Sequence, residues 1–163
     1  MTATEYVELA AAKAARGVRM VVTGMVPSPW SQAAKGLFRV AGLPALAVRS
    51  NREDAEQAAW TRSHNVPVVL HDDDPPRTNW AEIVMLADRL AAPGRLLATE
   101  MDRRVRTIGL IHELAGEQGV GWNARLLMID AGIASEGKRG FPRSVAHYLA
   151  GKYGYSPERV AEA

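Results

Sequence analysis

The chain has 163 residues, 47% of them apolar and 23% charged, with 20 Lys and Arg against 18 Asp and Glu for a formal net charge of +2. These values suit one ordinary globular domain or two small ones, and the charge imbalance is too small for a nucleic-acid-binding stripe. The lack of cysteine excludes disulfide scaffolding, thiolate metal sites and protein-thiol redox chemistry. No run approaches the ~20 apolar residues of a membrane span. The N-terminal segment carries Glu5 and Glu8 without an apolar core, so it does not read as a signal peptide. A soluble, cytoplasmic protein with no nucleic-acid or membrane partner is expected.

Thr2-Ala3-Thr4-Glu5 has capping-box spacing, and the Ala-rich segment after it predicts a helix as far as Gly17, so that residues 1–17 form an N-terminal extension. Met20–Val22 is a short apolar run of the kind that forms a buried strand. Ser28-Pro29 reads as a helix start. Ser28 is the N-cap, its hydroxyl accepting an orphan backbone N–H, and Pro29 sits at N1, where its missing N–H costs nothing. Ala33, Leu37, Val40 and Ala41 then recur at helical spacing, and Gly42 ends the helix.

Leu43–Val48 is the second expected strand. Asn51-Arg52-Glu53-Asp54 opens a polar helix through about Trp60, with few large apolar residues to pack. Asn65–Leu70 is the third strand, and Pro67 within it removes a ladder donor, which assigns it to an edge, a strand start or a cis turn. His71-Asp72-Asp73-Asp74-Pro75-Pro76 is a turn by composition, leading to a hairpin partner of at most a few residues. Thr78 or Asn79 caps an amphipathic helix whose core face is Trp80, Ile83, Leu86, Ala87 and Leu90.

Ala92-Pro93-Gly94 marks a composition break and the expected domain boundary, separating residues 18–92 from an all-α segment over 96–163. In that segment Val105, Ile108, Ile111, Leu114 and Ala115 line one helix face. Trp122, Leu126, Ile129 and Ile133 line a second, and Pro142–Lys152 reads as a third helix. Ser156-Pro157-Glu158 repeats the helix-start signal close to the end of the sequence. Either a short turn docks there or the sequence is part of a longer protein.

Ser28-Pro29-Trp30-Ser31 occupies a strand-to-helix junction, a place where α/β proteins bind ligands. Spacing alone leaves Ser28 open between a chemical role and simple capping. Three residues further on, Ser31 is expected to face solvent or back onto a carbonyl. Trp30 either walls a pocket or is a partly buried aromatic. His71 with Asp72, Asp73 and Asp74 reads as a solvated turn, since adjacent turn residues point in different directions, and no metal site is expected. Arg103, Arg104 and Arg106 read as a solvated helix face.

A βαβαββα order, a polar-x-x-polar tetrapeptide at the first strand–helix junction and Val-Pro opening the third strand together resemble the thioredoxin fold. The helical segment after the Pro-Gly boundary narrows this to the glutathione S-transferase family: an α/β thioredoxin-like domain followed by an all-α helical domain. SPWSQAAKGLFRVAGLP, NVPVVLHDD and NWAEIVMLADRLAAPGRLL carry the resemblance, which covers about Arg19–Gly154.

The resemblance implies glutathione as co-substrate, a small-molecule electrophile as second substrate, and a homodimer. Ser28 aligns with the serine that donates a hydrogen bond to the glutathione sulfur, and Trp30 beside it falls at the substrate pocket. Val66 would pair through its backbone with the cysteinyl unit of glutathione, and Pro67 would be the family's cis proline. Thr78 and Asn79 stand where the family usually has an acidic residue followed by serine, which hold the γ-glutamyl group. A neutral threonine offers no charge-assisted bond there. The family's helical domain continues past the third helix found here, so a complete and an incomplete domain both stay open. The alternative reading is a non-catalytic binding or dimerisation module on the same fold.

Overall fold

The computed structural model describes residues 4–24, 28–116 and 118–154. The chain divides into two compact units, Met1–Leu110 and Ile111–Ala163. The first holds β1 (Thr4–Tyr6), α1 (Leu9–Ala14), β2 (Val18–Val22), α2 (Pro29–Ala41), β3 (Ala45–Arg49), α3 (Ala55–Thr61), β4 (Val68–His71) and α4 (Trp80–Leu90). Its sheet has the order β1-β3-β2-β4, with β1 and β2 parallel to β3 and β4 antiparallel to β2. The expected hairpin partner after β4 is a single antiparallel bridge between Val69 and Arg77.

Strand alternation sorts the core into two layers. Val18, Met20 and Val22 on β2, Ala45 and Ala47 on β3 and Val69 on β4 pack with Phe38 of α2 and with Ile83, Leu86 and Ala87 of α4. On the other face, Val21 and Val48 pack with Ala12 of α1, flanked by Leu9, Trp60 and Val66. The first unit is therefore a thioredoxin-like sheet covered on both faces by helices.

Two sequence expectations about elements of the first unit change. The N-terminal segment is not one helix, because Thr4–Tyr6 is a strand paired with Ala45–Ala47 and a short helix follows it. A partner 41 residues away outcompetes the local capping signal. In α2 the buried stripe is Ser31, Ala34 and Phe38, while Ala33 and Val40 are exposed. Phe38 fills the layer against α4, and that rotates the helix about one residue away from the expected face.

The acidic turn is ion-paired, not simply solvated. Asp72 Oδ1 accepts the Gly17 N–H at 2.7 Å and lies 3.2 Å from Arg16 Nε. Asp73 meets Arg16 at 2.7 Å, and Asp74 pairs with Arg89. The Gly17 bond, helped by Arg16, holds the Asp72 carboxyl below the usual carboxylate range, and the Arg89 bond does the same for Asp74. Arg19, only 4% exposed on β2, donates to the carbonyls of Gly17 and Asp72 at 2.9 and 3.0 Å, and burial pushes its guanidinium pKa down.

In the second unit, α6 (Val120–Ala134) packs on α7 (Arg143–Lys152) through Ile129, Leu149 and Ala150, with Leu126, Ile133, Phe141 and Val145 around them. The approach is close at Gly132, where a Cβ would lie 2.5 Å from the Phe141 carbonyl oxygen and 2.9 Å from Ala146 Cβ. The Trp122 and Tyr153 rings meet edge to face at 4.8 Å.

Helix α5 (Met101–Ala115) runs across the division between the units. Its expected core face is not a core, since no α5 residue is buried and Val105 and Leu114 are 59% and 60% exposed. Arg104, expected to be solvated, pairs with Asp88 at 2.7 Å. Ser156-Pro157-Glu158 lies outside the described residues. No helix among the described residues is long and apolar enough to cross a membrane.

Candidate active site at the β2–α2 junction

β2 ends at Val22, and Ser28 begins α2 with extended backbone dihedrals, φ −100° and ψ 125°. Its Oγ accepts the Ser31 N–H at 3.5 Å, the long end of hydrogen-bond distance. The Ser28 hydroxyl proton has no partner among the described residues and stays available to donate. Pro29 occupies N1, and Trp30 beside it is half-buried.

Ser31 does something the sequence did not suggest. It is 2% exposed, its Oγ accepts the Thr23 N–H at 3.2 Å, and it lies 3.2 Å from Thr23 Oγ1. This pair ties the end of the strand to the first turn of the helix that carries Ser28. The available signal was the spacing of Ser31, Ala34 and Phe38, which share one helix face. Arg49 supports the same junction from β3, its Nη1 donating to the Gly24 carbonyl at 3.0 Å.

The Val66–Pro67 bond is cis, as the resemblance implies, and Pro67 is buried at the entry to β4. Val21 pairs with Val68, so counting back along β4 brings Pro67 level with Val22 and Val66 level with Thr23. Val69 pairs with Arg77, and the same count brings Asn79 level with Pro67. Antiparallel register thus brings the β2–α2 junction, the cis proline and the start of α4 to one end of the sheet. Asn79 caps α4, its Oδ1 accepting the Glu82 N–H at 2.9 Å, while Thr78 is exposed beside it. Among the described residues no three His, Asp or Glu side chains come together as a metal-holding group.

Two helix starts, a cis proline and a strand end thus meet at one end of a thioredoxin-like sheet, with further helices after it in sequence, and in fold the chain is like a glutathione transferase homologue. The chain is similar to a glutathione transferase homologue from Sulfitobacter, solved with bound glutathione, at 14% identity and a TM-score of 0.50 over 90% of each chain. It is also similar to a maleylacetoacetate isomerase from Methylobacterium extorquens AM1, solved with malonate and glutathione, at 17% identity and a TM-score of 0.43, covering 88% of this chain and 90% of that one. No family model and no curated protein matches the chain.

Proposed function

We propose that this protein binds glutathione at the corner of Ser28, Val66, Pro67, Thr78 and Asn79 and activates its thiol. The observation that carries the reading is Ser28, an N-cap at the start of a 13-residue helix whose hydroxyl proton has no acceptor among the described residues. A hydroxyl donating to the sulfur stabilises the thiolate over the thiol, and the positive end of α2 adds to the effect. The backbone of Val66 offers the cysteinyl unit an added-strand edge, and the start of α4 at Asn79 presents donors to the γ-glutamyl carboxylate. Trp30 lines the side where a small electrophile approaches. The thiolate sulfur then forms a bond to an electrophilic carbon, and either the leaving group departs with the bonding pair or the displaced π electrons move to the neighbouring acceptor atom, which takes up a proton.

Calorimetric titration with glutathione tests binding, and ultraviolet absorption of the bound thiolate against pH tests activation. The expected result is ionisation below the thiol's solution pKa, shifted back up by Ser28→Ala. Absence of detectable glutathione binding sinks the whole reading. Unchanged ionisation in Ser28→Ala sinks the role of that serine alone.

A non-catalytic module on the same fold is the second reading, favoured by the neutral Thr78 and by exposed apolar side chains. We further propose a homodimer that covers Met85 on α4 and Met101 and Val105 on α5, all exposed in the single chain. Sedimentation of the full chain checks this, and a monomer at every concentration rejects it. Glutathione chemistry suits the cytoplasm, where that thiol pool sets the redox balance, and cell fractionation tests the location.

A further inference from the structure

None of Ser28, Val66, Pro67 or Asn79 lines an open cleft of about 280 Å³ where β1 turns into α1 and β3 turns toward α3. β1 and β3 are parallel, so the cleft sits beyond the carboxyl ends of two neighbouring strands, the usual position of ligand crevices in α/β sheets. The added β1–α1 unit forms one of its walls.

The polar residues lining it are Tyr6, Glu8, Arg49, Asn51, Asp54 and Gln57, and the Gln57 amide is already bonded to the Asn51 N–H and the Arg49 carbonyl. Arg49 uses Nη1 on the Gly24 carbonyl and stacks 5.0 Å from the Tyr6 ring centre, and it pairs with no carboxylate among the described residues. The Tyr6 oxygen accepts from Lys35 Nζ at 3.1 Å, which leaves its own proton free to donate. Asp54 takes the Gln57 N–H on Oδ1, and its second oxygen and the whole Glu8 carboxylate have no partner among the described residues. Cation and carboxylates therefore line one cleft without neutralising each other, and Val7, Leu9 and Val48 supply an apolar wall beside them.

A ligand that satisfies every one of these groups carries a carboxylate, an ammonium and an apolar substituent. We propose that the cleft is a binding site for a zwitterionic α-amino acid with an apolar side chain, its carboxylate held by Arg49 and Tyr6 and its ammonium by Glu8 and Asp54. The contacts are charge-assisted, so loss of either charge weakens binding about tenfold or more.

The test is a titration of the full chain, without glutathione, followed by backbone amide NMR shifts. The probes are L-leucine, isocaproate, which lacks the ammonium, and isoamylamine, which lacks the carboxylate. L-Leucine is expected to shift the amides of Tyr6, Leu9 and Asn51 saturably, with both analogues at least about tenfold weaker. Glu8→Gln is expected to weaken leucine about tenfold; this side chain makes no capping hydrogen bond and no ion pair among the described residues, so the variant reads the ligand more than stability. Arg49→Met should weaken it as much, and Ser28→Ala should leave it unchanged, which keeps the outcome separate from the glutathione reading. No saturable shift with leucine, equal binding of isocaproate, or an unaltered Glu8→Gln titration overturns the proposal.

Discussion

Ser31→Ala is expected to cost more stability than Ser28→Ala, the reverse of what an N-cap position ordinarily implies. Ser31 is 2% exposed, and among the described residues its Oγ is the one acceptor of the Thr23 N–H, at 3.2 Å. Its removal forfeits a hydrogen bond worth about 1 kcal/mol and leaves a donor short of a partner, a penalty of about 1–3 kcal/mol when fully buried. Thr23 is half-buried, so water recovers part of this and the net loss is about 1–2 kcal/mol. Ser28, holding a 3.5 Å bond on a half-exposed side chain, sits at the low end of the capping range, about 0.5 kcal/mol. Urea unfolding followed by tryptophan fluorescence reads the first unit best, because Trp30, Trp60 and Trp80 lie in it and only Trp122 does not. With a slope of about 2 kcal/mol/M, the Ser31→Ala midpoint falls by about 0.5–1 M at unchanged slope. A midpoint within about 0.2 M of the parent, or a larger fall for Ser28→Ala, refutes the reasoning.

Gly132→Ala should destabilise the helical unit by about 1–3 kcal/mol, because the new Cβ meets the Phe141 carbonyl oxygen and Ala146; Trp122 fluorescence during thermal unfolding reads it. Asp72 and Asp74, whose folded pKa values lie below their unfolded ones, contribute stability above about pH 4 that is lost as the pH falls through the folded values. The Asp72→Asn/Asp74→Asn variant should therefore lose stability less steeply in acid than the parent. Equal acid limbs in circular dichroism melts would show that the ion-paired turn does not set that slope.

What the sequence made legible was chemistry settled within a few residues. Ser28-Pro29 at the start of α2, Gly42 at its end and Asn79 before α4 cap helices because capping bonds span only three or four positions. Pro67 announced a special peptide bond because it cannot serve a central ladder. The missed features depend on distant partners. Thr4–Tyr6 is a strand only because Ala45–Ala47 lies beside it, and Ser31 is buried only because the end of β2 supplies Thr23. In α2, stripes headed by Ala33 and by Ser31 are both helical, and the choice falls to whichever aligns Phe38 with α4.

Helix α5 separates the two kinds of information most clearly. Its 3.6-residue apolar period is real, and it correctly states which side of the helix prefers apolar surroundings. It carries no information about which molecule supplies them. Val105 and Leu114 follow the pattern of a core and yet stand open in the single chain. Helical periodicity is therefore evidence for burial only when another element of the same fold is already in position to cover that face.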